Sequence, residues 1–255
     1  MASNDTKWPL RTLTVAVRII EALQSLDGAG VTELATRLDL AKSTVHNHLR
    51  TLEHHQYVTR NGNEYRLSLK FLDHGGYVQY RDERFDLIRQ KVKYVAAETD
   101  ELCQFVTEEH GTCVFVFREQ GTQAVNTQTR AGSRVPLHHT TAGKAILAAL
   151  PDERIETIIE RRGLPGKTEH TVSTREDLFE ELRSIRSRGY AFDKDEHIRG
   201  LNALGVSIED ESETVLGAIS VATPQHRLQS SSRENELADF LLGVVNELEL
   251  NIRYS

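Results

Sequence analysis

The 255-residue sequence predicts an α+β protein in two parts, an N-terminal winged helix-turn-helix and a larger C-terminal domain built on an antiparallel sheet. Three observations predict it. Two short helix patterns around a tight turn, then a hairpin signal, occupy residues 31–67. Strand-like runs rich in β-branched and aromatic residues crowd the middle of the remaining chain. Amphipathic helix patterns open and close that remainder. The boundaries are 1–67 for the winged helix-turn-helix, 68–82 for a linker helix and 83–255 for the C-terminal domain.

The first helix starts at Trp8-Pro9, since Pro is tolerated in a first turn, and repeats Leu13, Val17, Ile20 and Leu23 at helical spacing. The first helix of the helix-turn-helix begins with Thr32 as its cap and sets Leu34, Ala35 and Leu38 on one face. Asp39 breaks the pattern and Leu40 drops back into the core. The second helix opens at Lys42-Ser43-Thr44. With Val45 at the centre, Leu49 and Leu52 fall within about 40° of it at 100° per residue. Ser43, His46, Asn47, Arg50 and His54 lie on the opposite side, with Glu53 at the edge.

That outer face is made of hydrogen-bonding side chains and holds no carboxylate. Asn pairs with adenine, Arg with guanine or a phosphate, and Ser or Thr with either. Lys42 and the first N–H groups of the helix suit a phosphate. Asn61-Gly62 supplies the positive φ angles of a two-residue hairpin turn between strands containing Val58, Tyr65 and Leu67, with Arg60 and Arg66 beside it. The expected DNA contacts are therefore Lys42, Ser43, Thr44, His46, Asn47, Arg50, Arg60 and Asn61. A protein-docking role, the usual alternative for such a module, is disfavoured by the missing acid.

Ser68 to Arg81 reads as the connecting helix, with Leu69, Leu72 and Tyr80 apolar and Gly75-Gly76 a bend. RFDLIRQKVKYVAAET follows as an amphipathic helix through Phe85, Ile88, Val92 and Val95. LCQFVTEE and TCVFVFRE form a hairpin at His110-Gly111, and AVNTQTR is expected as a third strand. After a loop to Pro136 come three helices, the third capped by Thr174. LNALGVSIEDESETVLGAISVAT gives two strands across an acidic turn. The last helix carries Leu237, Phe240, Leu241, Val244 and Leu248.

Composition narrows the function classes. The formal charge of −7 divides unevenly: residues 1–80 hold nine Lys/Arg against eight Asp/Glu (+1), and residues 81–255 hold 22 against 30 (−8). The acid sits away from the helix-turn-helix, and local potential governs nucleic-acid contact. Twenty-three Arg against eight Lys, on an acidic chain, point to a salt-rich cytoplasm. No membrane span or signal-peptide core is readable, so the expected location is cytoplasmic, with no membrane partner. Two cysteines, Cys103 and Cys113, sit in apolar runs and read as buried thiols.

Enzyme chemistry finds no purchase. Gly163–Thr168 imitates a phosphate loop, but position 161 is Arg where the motif needs Gly. No G-x-S-x-G is present, and no catalytic residue is assigned. His46 and His48 are followed one turn later by Arg50 and Leu52, which breaks any shared metal spacing. His138, His139 and His197 near Asp195 are better read as structural or ligand-contacting than as metal ligands. No metal and no cofactor are expected.

Four stretches then carry a resemblance: LATRLDLAKSTVHNHLRTL (34–52), YRLSLKFLDHG (65–75), PLHHTTAGKAILA (136–148) and RGYAFDKDEHIRGLNALGVSI (188–208). Together, in this order, they are similar to the IclR-type (isocitrate lyase regulator family) transcriptional regulators over roughly residues 12–250. The resemblance implies a GAF-like C-terminal domain that binds a small metabolite, and control of carbon-source genes by repression or activation. It implies an effector cavity between the loop Gly132–Val135, the helix that follows and the sheet. The implied effector-binding residues are Gly132, Ser133, Leu137, His138, Asp193, Asp195, Glu196, Asn202, Ala203, Ser220 and Ala222. Backbone N–H groups of that loop would receive a carboxylate, so an organic acid or sugar derivative is the expected effector.

The chain departs from the family pattern at Asn47, where most relatives carry Arg, at Thr141 for Ala, at His139, and at Ala203 where some carry Cys. The resemblance also implies dimers or tetramers. A homodimer through the first and linker helices is expected from Val17, Ile20, Leu69 and Leu72, and two-fold symmetry then calls for an inverted-repeat operator in double-stranded DNA. The alternative is a constitutive architectural DNA-binding protein without a ligand, which requires a filled core in residues 81–255.

Overall fold

The computed structural model of the protein describes residues 10–127, 129–228 and 230–254, with the backbone alone at Lys194. The chain divides into two compact units, residues 1–78 and 79–255. The expected helix start at Trp8-Pro9 lies outside the described residues.

In the first unit, helix α1 (Arg11–Leu26), a two-residue strand β1 (Ala29–Gly30), α2 (Val31–Leu38) and α3 (Lys42–His54) precede a hairpin of β2 (Val58–Asn61) and β3 (Glu64–Leu67). The small sheet runs β1-β3-β2, all antiparallel. Ile19, Leu23, Leu34, Val45 and Leu49 are fully buried together under Val58 and Tyr65, while Leu38, Leu40 and Leu52 pack half-buried around them. Arg18 Nη2 donates to Leu38 O at 2.9 Å and ties α1 to the end of α2.

Three local expectations are corrected. Helix α2 begins at Val31 with Gly30 as its cap and no side-chain cap, so Thr32 lies inside its first turn. The wing turn is Gly62-Asn63, because Asn61 still pairs with Glu64 and positive φ falls on Gly62. Val15, Ile19, Ala22 and Leu23 form the inner face of α1, whereas Leu13 and Val17 face outward. Apolar residues occupy both sides of this helix, so spacing alone does not identify which side the core selects.

Helix α4 (Lys70–Tyr80) runs through Gly75-Gly76 without a break. Helix α5 (Glu83–Thr99), capped by Asp82, then opens the second unit's main architecture. Its sheet has six strands: β4 (Leu102–Glu109), β5 (Thr112–Gln120), β6 (Arg134–Pro136), β7 (Ala191–Lys194), β8 (Leu201–Glu209) and β9 (Val215–Pro224). Their spatial order is β6-β5-β4-β9-β8-β7, antiparallel throughout. The expected third strand, AVNTQTR, is not one: residues 124–127 and 129–130 lack strand structure, and β6 forms ten residues later. Strand β7 went unread because its four residues contain two charges and lack alternation.

Both faces of the sheet are covered. On one, α5 and α9 (Ser231–Arg253) pack Ile88, Val92, Leu241 and Leu248 against Phe105, Leu204, Ile219 and Val221. On the other, α6 (Thr141–Ala149), α7 (Asp152–Arg162) and α8 (Arg175–Arg188) pack Ile146, Ile155, Leu178 and Leu182 against Val106 and Ala218. Period-two alternation therefore divides each strand's residues between the two cores. Thr174 caps α8, its Oγ1 accepting Asp177 N–H at 3.2 Å. Cys103 and Cys113 are free and fully buried, and burial pushes the Cys113 thiol up to about 12. No described helix is long and apolar enough to cross a membrane.

Candidate DNA-reading surface and effector cavity

The reading face of α3 follows from which residues its core withholds. Val45 and Leu49 are at zero exposure, which turns Lys42, Ser43, His46, Asn47 and Arg50 to solvent, with Thr44 half-buried. Among the described residues none of these five side chains has an intramolecular partner, so their donors and acceptors stay available. The wing is stiffer: Arg60 Nε donates to Gly62 O at 2.7 Å, and its guanidinium lies 5.5 Å from the Tyr65 ring. Asn61 is exposed in the last pair of that hairpin. Arg66 pairs with Glu64, its Nε donating to Glu64 Oε1 at 2.7 Å.

Between α2 and the wing lies an open hollow of about 860 Å³ lined by Thr32, Thr36, Arg37, His46, Arg60 and Asn63, among others. Thr36 and Arg37 sit beside His46 there, a role that the sequence reading left out. Their outward position follows from Leu34 and Ala35 facing inward, so the signal was present in the α2 pattern.

In the second unit a cavity of about 50 Å³ lies between the sheet and the start of α6. Strands β4, β9, β8 and β7 contribute Gln104, Ser220, Ala222, Ala203 and Asp193, and Thr140, Thr141 and Ala142 close it from the helix side. Thr127 and Thr129 come from the segment after β5, and His197 and Ile198 from the loop after β7. Gly205 lets α6 approach: a Cβ there would come within 3.1 Å of Ala142 N.

Of the residues implied by the resemblance, Asp193, Ala203, Ser220 and Ala222 line this cavity and the others do not. Gly132 N–H donates to Phe115 O at 2.8 Å and Ser133 N–H to Arg130 O at 3.0 Å. The N–H groups of Gly132 and Ser133 are thus spent within the fold and are not left for a carboxylate. Leu137 is packed in the hydrophobic core beneath α6. His138 and His139 both direct Nε2 at Pro165 O, at 3.0 and 2.6 Å, a structural role. Asp195 Oδ1 accepts Gly200 N–H at 2.6 Å within a turn. Asn202 is on the opposite sheet face from Ala203, its amide donating to Leu228 O. Glu196 is bound to Lys144 Nζ at 2.6 Å, and Glu181 takes the same ammonium at 2.5 Å. No group of metal-ligating side chains is gathered among the described residues.

The free donors lie one element later than expected. Thr140 Oγ1 accepts Gly143 N–H at 3.0 Å, and Thr140 O accepts Lys144 N–H. The N–H groups of Thr141 and Ala142, both in the cavity wall, keep no partner among the described residues, as the start of a helix provides. Ser220 and Thr141 add hydroxyls, while Gln104 Nε2 donates to Thr129 Oγ1 at 3.1 Å, which meets Thr127 Oγ1 at 2.7 Å. Among the described residues no Lys or Arg lines the cavity. Burial raises Asp193 to about 6 against the opposing N–H bonds from Glu196 and His197. Burial likewise raises Glu196, to about 7, against the pull of Lys144. His197 is lowered to about 4 by burial, with Lys167 and His139 adding to the shift, and stays neutral near pH 7. This chemistry suits one carboxylate at the helix start and hydroxyl groups elsewhere.

Comparison with known proteins agrees with both units. Residues 84–248 match the family described as bacterial transcriptional regulator IclR C-terminal, and residues 12–62 match the IclR helix-turn-helix domain. The chain is 30% identical over 255 residues to a probable HTH-type transcriptional regulator ArcR of Halobacterium salinarum, covering 98% of this chain and 97% of the relative. It is 27% identical to the acetate operon repressor of Salmonella typhimurium, over 94% of this chain and 89% of that one. Among solved structures, an IclR homolog from Microbacterium hydrocarbonoxydans complexed with 4-hydroxybenzoate superposes with a TM-score of 0.79 at 23% identity, covering 96% and 100% of the two chains.

Proposed function

The chain belongs to the IclR family of transcriptional regulators, a DNA-binding regulator and not an enzyme, and from that premise we propose that a small hydroxylated carboxylic acid controls it. The acid's carboxylate meets the free N–H groups of Thr141 and Ala142. Its hydroxyl reaches Ser220 or Asp193. The single observation that supports this reading is the cavity under the start of α6, with two unpaired backbone donors and, among the described residues, no side-chain cation. A constitutive architectural protein would fill this space.

On the DNA side, Ser43, His46, Asn47 and Arg50 read base edges, while Lys42, Thr44, Arg60 and Asn61 hold the backbone. A homodimer forms through α1 and α4, whose exposed Leu13, Val17, Leu69 and Leu72 have no other cover within the first unit. Its operator is an inverted repeat. The regulated genes serve use of a carbon source, a reading supported by the named role of the Salmonella relative.

The experiment is a thermal-shift screen of the purified protein against hydroxylated aliphatic acids, hydroxybenzoates, sugar acids and neutral sugars. A ligand at about 100 times its Kd adds roughly 2.7 kcal/mol to stability. An acid should raise the melting temperature in the wild type and fail to do so in Asp193→Asn or Ser220→Ala. Stabilisation by no acid, or stabilisation that both variants retain, removes the proposal.

A further inference from the structure

A second hollow, of about 380 Å³, lies on the opposite face of the same sheet, between the end of α5 and the start of α9. It shares no lining residue with the effector cavity. We propose that it is a separate binding site for a free α-amino acid with an apolar side chain.

At the inner end of this hollow the acceptors outnumber the donors that reach them. Glu101 is 8% exposed, and its Oε1 accepts from Thr223 Oγ1 at 2.7 Å and Arg227 Nη1 at 2.9 Å. Its Oε2 is buried and has no partner. Asn202, the register partner of Thr223 across β8 and β9, likewise has a buried Oδ1 with no donor. Two unpaired acceptors thus adjoin one threonine. An acceptor left so carries the full desolvation penalty of its burial, and only a donor relieves it. An ammonium group supplies three.

The rim is of mixed charge, with Glu98 and Glu236 beside Arg233. Arg233, in the first turn of α9, is exposed and lines the hollow, and its guanidinium has no partner among the described residues. The walls between are apolar, from Val221, Leu228, Leu237 and Phe240. One molecule answers all three features: its ammonium at Glu101, its carboxylate at Arg233, and its side chain on the apolar wall. A plain carboxylic acid leaves the buried Glu101 Oε2 without a donor and brings no ammonium to offset Glu98 and Glu236, which also line the hollow. A simple amine leaves Arg233 unused.

The site is tested by calorimetric titration of the full chain with L-phenylalanine and L-leucine, and with their methyl esters and N-acetyl derivatives. The free amino acids should bind saturably, once per chain. Losing the ammonium or the carboxylate, or introducing Glu101→Gln or Arg233→Gln, should weaken binding at least about tenfold, the scale of one charged hydrogen bond. Arg233 is exposed on a helix, so its variant should fold with an unchanged melting temperature even if the Glu101 variant does not. Asp193→Asn, in the effector cavity, should bind amino acids as wild type does. No binding at millimolar concentration overturns the proposal, as does binding indifferent to Arg233→Gln. Amino-acid binding that Asp193→Asn abolishes assigns the ligand to the other cavity and also overturns it. An acid effector found in the thermal screen, without amino-acid binding, sinks this site alone and leaves the regulator reading standing.

Discussion

Asn47 and Arg50 stand on the exposed side of α3 without intramolecular partners, so the energy of their bonds is available to DNA. Replacing either by Ala should cost about 1–3 kcal/mol at the specific operator and relax the preference for one base pair. Lys42→Ala should weaken binding to all sequences alike and lower the salt slope by about one counterion. Gel-shift titrations at several salt concentrations distinguish the two patterns. Asp193 gives a pH prediction. Raised to about 6, it is neutral below that pH and anionic above, where it repels a bound carboxylate. Affinity for an acid effector should therefore fall as pH rises through about 6; calorimetry at pH 5 and 7.5 reads the change. Because its folded pKa lies above the unfolded value near 4, the same group's favourable contribution to stability is present at low pH and lost over that rise. Which face of α3 is exposed was legible from three apolar positions. The effector residues were only partly so: Asp193, Ala203, Ser220 and Ala222 line the cavity, but nothing in Gly132-Ser133 announces that their N–H groups are spent on Phe115 and Arg130.

At the level of elements, legibility followed pairing range. Helices with one apolar face, such as α5 and α9, and the hairpin of β4 and β5 emerged from local pattern. Strand β7 did not, because its pairing with β8 is decided by the sheet edge and not by its own four residues. Helix α1 failed differently, having apolar residues on two sides of which the core takes one. The start of α6 is the most constrained junction. A Cβ on Gly143 would lie 2.1 Å from Leu137 O, so the short 3-10 turn Leu137–His139 and the helix touch there through bare backbone. Gly143→Ala should thus destabilise the second unit by about 1–3 kcal/mol through overpacking, despite alanine's better helix propensity. Chemical denaturation reads this as a lower midpoint at unchanged slope. Thr174→Ala, which removes the cap of α8, should cost about 1 kcal/mol by the same measurement.

For the whole molecule, the proposed homodimer rests on the exposed apolar residues of the first unit. Leu69 is 83% exposed and Leu72 71%, alongside Leu13 at 61%. A dimer of twice 28.8 kDa is expected by light scattering, and charge at Leu69 and Leu72 together, as in L69E/L72E, should give monomers that lose operator affinity. The division between the two units falls inside α4, so a single helix carries the chain from one to the other. Gly75 and Gly76 lie in it with nothing within 4 Å of where a Cβ would be. Crowding does not demand glycine there, and each glycine costs about 1 kcal/mol of helix stability relative to alanine. The pair makes the connecting rod torsionally compliant. In the proposed dimer such a rod should let the two DNA-binding heads adjust their phase and so tolerate operators of imperfect half-site spacing. With Gly75→Ala and Gly76→Ala the regulator should become fastidious, losing more affinity than wild type when one base pair is inserted between half-sites.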